Sequence, residues 1–308
     1  MDSTADRLTG QWLDERHYNR RIDNTATVLK PDGSPLLIYI NALPRVVCAA
    51  TFDAYKNARP HSDNRAMGGP RFRRRKRDGT RSRTNQAPHQ PTSILGFFER
   101  EPRTPYCRQT AFTRQHAAAF AGIQPFVRAV SKTFQAYAPE RWAVQRRFVE
   151  DLSQDFVIPG TVFTTMTFNQ TFRTRAHRDK NDLRAGFGVM AVLEGGDYRG
   201  GELIFPKFRT AVDMRTGGVC LADVHELHGN APFIGLPGRF KRLSFVFYVR
   251  EKMTVCGTIA EELQHALGDD DREMERLQQD AARAQAWATK TQRWAERAAA
   301  AVRRLDDE

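Results

Sequence analysis

His177, Arg178 and Asp179 form a His-x-Asp triplet at the end of an expected strand, where a spacing of two puts imidazole and carboxylate on one face. Two such groups can meet one metal ion. A facial triad needs a third donor, and it leaves three positions of an octahedral iron open for a co-substrate and dioxygen. His228, 51 residues further on, is the candidate: it follows the expected strand Gly-Val-Cys-Leu-Ala and opens the turn His228-Gly229-Asn230-Ala231-Pro232. His225 competes from three residues earlier. It ranks lower, as an outer or surface residue, because the turn after His228 suits a ligand emerging at a strand end.

Fourteen residues beyond His228, Arg242 and Ser244 fall on one face of the apolar run Lys-Arg-Leu-Ser-Phe-Val-Phe-Tyr-Val, with Val246 and Tyr248. Lys241, Leu243, Phe245 and Phe247 take the other face. A buried guanidinium fork calls for a carboxylate. A dicarboxylic acid such as 2-oxoglutarate provides one while its keto-acid end chelates iron, so Arg242 and Ser244 are expected to grip the distal carboxylate. The competing reading is a surface arginine on an edge strand.

These groups need elements to hold them. After Pro159 and Gly160 the chain becomes short β-type runs separated by turns (TVFTTMTF, GFGVMAVL, GELIFP, RTAVDM, GVCLA, LSFVFYV), which predicts a sandwich or a jelly roll. Between Thr110 and Leu152, Phe120, Ile123, Phe126, Val127, Val130 and Phe134 recur at helical spacing and predict helices that buttress the sheet. Leu36–Ile40 reads as a strand joining it. The expected organisation is an N-terminal segment over 1–56, a basic mobile loop over 57–92, an oxygenase core over 93–256 and an amphipathic helix over 257–308. The basic segment carries Arg71, Arg73, Arg74, Arg75, Lys76, Arg77, Arg81 and Arg83 among Pro, Gly, Ser and Asn. Such a composition is expected to form no core and to contact a DNA backbone, or else to be a solvated surface loop. The C-terminal helix has an Ala-rich seam that favours packing on its own domain and leaves a homodimer open.

A formal charge of +12 over 308 residues and a pI near 9.9 favour a polyanionic partner, nucleic acid first. The four cysteines, Cys48, Cys107, Cys220 and Cys256, show no C-x-x-C pair and are expected to be reduced intracellular thiols. The first residues lack the apolar stretch of a signal peptide, and no run approaches the roughly 20 apolar residues of a membrane span, so a soluble protein with no membrane partner is expected.

Four blocks in order, FNQTFRTRAHRDKND, YRGGELIFP, ADVHELHGNAP and RLSFVFYV, resemble the TET/JBP family of iron(II)/2-oxoglutarate-dependent dioxygenases, which modify 5-methylpyrimidines in DNA. The resemblance runs from about residue 93 to 250 and takes in SILGFF and PYCRQTAFT. It implies an α+β fold built on a double-stranded β-helix, with supporting helices. It implies His177, Asp179 and His228 as ligands of Fe(II), Arg242 as the 2-oxoglutarate anchor, and a ferryl oxidant formed with O2. Tyr198, Arg199, Gly200, Gly201 and Glu202 match a turn between strands, where glycine permits the reversal. Asp182 matches a position near the bound base, where a carboxylate can accept from the N4 amine of cytosine, so DNA containing 5-methylcytosine is the expected substrate and thymine the disfavoured one. The alternative for Asp182 is a loop ion pair with Lys180 or Arg184. An algal branch of similar sequence uses ascorbate, which stays open as the co-substrate. A prolyl-type protein hydroxylase is the rival class, in which Lys241 rather than Arg242 would face the iron. A nuclear location is expected.

Overall fold

The strand-like runs after Gly160 close, together with N-terminal strands, into two sheets packed face to face, with helices behind the larger one. The computed structural model describes residues 7–58, 72–75, 81–86, 91–102 and 104–266, plus four helical positions at 279, 282, 285 and 286. In chain order the elements are β1 (Arg20–Ile22), β2 (Ala26–Leu29), β3 (Pro35–Asn41), α1 (Arg45–Tyr55), β4 (Phe72–Arg75), β5 (Arg81–Gln86), β6 (Thr92–Phe98) and β7 (Arg108–Gln109). Four helices follow: α2 (Ala111–Gln115), α3 (Ala117–Gly122), α4 (Gln124–Tyr137) and α5 (Pro139–Glu150). Then come β8 (Thr165–Gln170), β9 (Gly188–Gly195), β10 (Arg199–Gly200), β11 (Leu203–Phe205), β12 (Thr210–Val212), β13 (Gly218–Ala222), β14 (Gly229–Asn230), β15 (Phe233–Ile234), β16 (Lys241–Tyr248) and α6 (Ile259–Ala266).

The major sheet runs β2-β3-β13-β9-β16-β8-β6-β7, and the minor one β1-β12-β11-β14. All pairings are antiparallel except β1 with β12. Period two decides what each face of the major sheet carries. Val189, Ala191 and Leu193 of β9, Val219 and Leu221 of β13, and Leu243, Phe245 and Phe247 of β16 pack with the helices. Met190, Val192, Cys220 and Ala222 point the other way, into a second cluster with Ile22, Leu203, Phe205 and Val212 of the minor sheet. This is the jelly-roll architecture expected of the family.

The helix layer follows the apolar spacing. Phe126, Val127, Val130 and Phe134 of α4 are all fully buried against the sheet. Each contributes about 1.5–3 kcal/mol. α4 stops at Ala138 because Pro139 disfavours the helical conformation of the residue before it, and that proline then starts α5.

Two expectations change. Among the described residues of the basic segment, β4 and β5 pair antiparallel as a separate two-stranded ladder where a loop was expected. Such a ladder satisfies backbone groups locally and needs no apolar core. The cysteines are not all thiols, for Cys107 and Cys256 form a disulfide while Cys48 and Cys220 are free and buried. A separation of 149 residues hides that pair from any reading of spacing, and only the fold brings the start of β7 beside the turn after β16. The disulfide and the Glu262 carboxylate, which accepts from Arg100 and from the Cys107 and Gly257 amides, hold α6 against the β6–β7 end. Most of the expected long C-terminal helix, and the dimer seam with it, lies outside the described residues. Among the described residues no helix is long and apolar enough to cross a membrane.

Candidate active site

β8 leaves the major sheet at Gln170, and the chain crosses to the minor sheet carrying His177. There His177 and His228 exchange backbone hydrogen bonds, N–H to O, at 2.8 and 3.0 Å. This ladder rung fixes two histidines, far apart in sequence, side by side with ring centroids 4.5 Å apart. Gly229 permits the approach: a Cβ there would lie 3.0 Å from the backbone of Arg175 and Ala176. Asp179 is tied by its N–H to the Val224 carbonyl. Its two carboxylate oxygens lie 3.7 Å from the Nε2 atoms of His177 and His228, one each. One ligand atom from each of the three residues falls within 4.8 Å of the others.

Both imidazoles are oriented the same way. Nδ1 of His177 lies 2.7 Å from the Arg175 carbonyl, and Nδ1 of His228 lies 2.9 Å from the Glu226 carbonyl. A carbonyl only accepts, so each Nδ1 carries the proton and each Nε2 lone pair faces the cluster. Burial, reinforced by the neighbouring His177, pushes the His228 imidazole down to about 4. It is therefore neutral at physiological pH, as a ligand must be. Two imidazole nitrogens and one carboxylate gathered in one cluster fit a ferrous ion. His225 lies outside this cluster.

The face of the major sheet turned towards the minor sheet becomes polar along β16 and β8. Arg242 is 3 % exposed, and its Nε and Nη2 have no protein partner. Its guanidinium lies over the Phe233 ring at 5.5 Å and against the Tyr198 hydroxyl, which donates to Glu194. Burial lowers its pKa and outweighs the raising influence of Tyr198 and the Glu194 carboxylate. A fork whose Nε and Nη2 meet no protein acceptor fits the distal carboxylate of 2-oxoglutarate. Ser244, half-buried on the same face, accepts from Asn169, and Tyr248 lies 3.2 Å from the Thr167 hydroxyl. Lys241 points to the opposite side and donates to the Lys56 carbonyl and Asn57 Oδ1. That removes the basis for the prolyl-hydroxylase rival.

Asp182 pairs by backbone with Arg250 beside Tyr248. Burial and then the charge of Asp179 raise its pKa, with Arg250, Glu251 and Glu99 as further charged neighbours. Arg250 itself makes a buried pair with Glu99, 2.6 Å from Nη2 to Oε1. Arg73, Arg74 and Arg75 lie in β4, in the ladder separate from the sheets that carry the triad.

The sequence model of the Tet/JBP family, the oxygenase domain of the 2OGFeDO superfamily, matches residues 93–251, more than half of the chain. The chain belongs to the Tet/JBP family. That membership implies Fe(II), 2-oxoglutarate and O2, in agreement with the donor set and with the unpaired Arg242. Thymine dioxygenase JBP1 of Leishmania tarentolae is 35 % identical over 174 residues, 55 % of this chain and 21 % of that protein. The bifunctional helicase and thymine dioxygenase JBP2 of the same organism is 32 % identical over 180 residues, 57 % of this chain and 16 % of that protein. The chain thus spans about a fifth or less of these curated relatives. The solved structure of NgTET1 in complex with 5mC DNA matches with a TM-score of 0.58 at 13 % identity, over 85 % of this chain and 87 % of that one, a likeness of fold.

Several groups around the Tet/JBP site were not legible as such. Tyr198 was read only as part of a turn. The turn is there, with Gly200 and Gly201 at φ of 77° and 79°, but its tyrosine also covers Arg242. Thr171, a β-branched residue at φ 45°, exchanges hydrogen bonds with the Arg242 backbone and bends the chain out of β8. Period two along β8 would have flagged Thr167 and Asn169 opposite the apolar Met166 and Phe168.

Proposed function

We propose that this chain is an iron(II)- and 2-oxoglutarate-dependent dioxygenase that oxidises the 5-methyl group of 5-methylcytosine in DNA. The observation that carries it is the convergence of two imidazole Nε2 atoms and one carboxylate within 4.8 Å, in a sandwich whose inner face also bears an unpaired buried guanidinium. His177, Asp179 and His228 would hold the ferrous ion, and Arg242 with Ser244 the co-substrate's distal carboxylate. Iron with 2-oxoglutarate and dioxygen supplies the oxidant for the methyl C–H bond. The protein's part is to present the base. A methyl group in a duplex cannot reach this recessed cluster, so the pyrimidine is flipped out at an expense of about a few kcal/mol, offset by backbone contacts from basic residues, Arg73, Arg74 and Arg75 among them. Asp182, next to Asp179 and Tyr248, accepts from the cytosine N4 amine. A nuclear location goes with such a substrate.

Thymine is the second reading, because the relatives at 32–35 % identity are named thymine dioxygenases. Nucleoside mass spectrometry on duplexes carrying 5-methylcytosine or only thymine, with Fe(II) and either 2-oxoglutarate or ascorbate, separates these readings. Hydroxymethylcytosine formed with 2-oxoglutarate is expected. Hydroxymethyluracil alone would move the assignment to thymine, and equal product from His177→Ala would end it.

A further inference from the structure

The N-terminal residues Leu8–Tyr18 lie outside the stretch matched to the family, yet they run directly behind the two histidines. The Gly10 amide donates to the Ala176 carbonyl at 2.7 Å, and the Ala176 amide donates to the Gln11 carbonyl at 2.9 Å. Ala176 is the residue before His177. Arg175 donates from Nη1 to the Gly10 carbonyl, and Arg173 donates from Nη2 to the Leu13 carbonyl and from Nε to the Asn230 carbonyl. Both guanidiniums sit 4.6 Å from the centre of the Trp12 ring. Leu13 is fully buried in a small cluster with Ala176, Leu227 and Ala231, which lie beside His177 and His228 in sequence, and with Ile204 and Ala211 of the minor sheet.

We propose that this N-terminal strap is a positioning element of the metal centre, with Leu13 as the plug that holds both histidine-bearing segments in register. The inference rests on the iron-site reading above. The chain of contacts is direct. The carbonyl that orients the His177 ring belongs to Arg175, whose side chain the strap clamps, and the residues preceding His177 and His228 share one buried cluster with Leu13. A facial triad tolerates little drift, because all three donor atoms must stay on one side of one ion. Outer contacts of this type typically change metal affinity roughly 10- to 100-fold.

The test is a titration of the metal-free 308-residue chain with cobalt(II), whose d–d absorption reports both affinity and geometry without turnover. Leu13→Ala is expected to weaken cobalt binding about tenfold and to shift the absorption, while Leu13→Met restores both. Arg175→Met, at the half-exposed rim and without loss of core, is expected to weaken binding roughly threefold, and it serves should Leu13→Ala fail to fold. Phe126→Ala, on the helix side of the major sheet, is the control that loses stability and keeps affinity. Unchanged affinity in both strap variants, or an equal loss in Phe126→Ala, overturns the brace. Wild-type binding no tighter than that of His177→Ala overturns the metal centre itself, and the brace with it.

Discussion

The two faces of the major sheet carry different jobs on the same strands. Towards the helices, Leu243, Phe245 and Phe247 of β16 join Met166 and Phe168 of β8 in a purely apolar layer, with Phe245 stacked on Phe168 at 5.2 Å and edge-on to Phe126 at 5.1 Å. Towards the minor sheet, the alternate residues are Arg242, Ser244, Val246 and Tyr248 of β16 beside Thr167 and Asn169 of β8. The helix side gains stability by excluding water, as does the apolar cluster that β9 and β13 form with the minor sheet on the other side. That other side also keeps a desolvated buried cation, an arrangement that weakens the apo fold and suits a ligand. Stability and chemistry are therefore separable by substitutions one residue apart.

The largest expected effect is on the chemical side. If the proposed activity holds, Asp179→Ala is expected to lower oxidation of methylated DNA at least about ten-thousandfold, equivalent to about 5.4 kcal/mol, while the melting temperature stays near that of the wild type. A variant that loses activity only in proportion to unfolding would erase the contrast between the faces. On the apolar side, Phe245→Ala is expected to lower unfolding free energy by about 3–5 kcal/mol in denaturant titrations, with the KM for 2-oxoglutarate unchanged in the fraction that remains folded. Arg242→Met then sharpens the comparison. The KM for 2-oxoglutarate is expected to rise roughly 10- to 100-fold, about 1.4–2.8 kcal/mol, yet thermal stability to hold or increase because a desolvated buried charge is gone. A fall in melting temperature would show that Arg242 already has a structural partner.

The smallest effect concerns the α6 staple, away from both faces. Burial alone would raise the Glu262 pKa, but the hydrogen bonds from Arg100 and from the Cys107 and Gly257 amides outweigh it and hold the carboxyl below its ordinary 4.5. A carboxylate depressed on folding contributes stability that is present above its unfolded value and lost as pH falls through the folded one. Melting curves of wild type and Glu262→Gln should therefore differ at neutral pH and converge as pH drops below about 4.5. A constant gap across that range would mean the staple does not act through the charge.

Much of this was legible before any coordinates. Alternation in Arg-Leu-Ser-Phe-Val-Phe-Tyr put Arg242, Ser244 and Tyr248 on one face, and the structure keeps that register, since period two is a local property of an extended chain. Helical spacing identified the buried face of α4 for the same reason. The basic ladder and the Cys107–Cys256 bond were missed, because composition says little about backbone pairing and spacing says nothing about partners 149 residues apart.

Residue types, strand alternation and the order of four motifs determined the family, the fold class and the candidate donors. Only the tertiary structure decided that His228 and not His225 stands beside His177, that Lys241 turns away while Arg242 stays unpaired, and that Leu8–Tyr18 lies behind the histidines. The physical reason is range: alternation and propensity are written in neighbours along the chain. Convergence of donors is set by which strands pair, and that is a property of the whole packed sandwich.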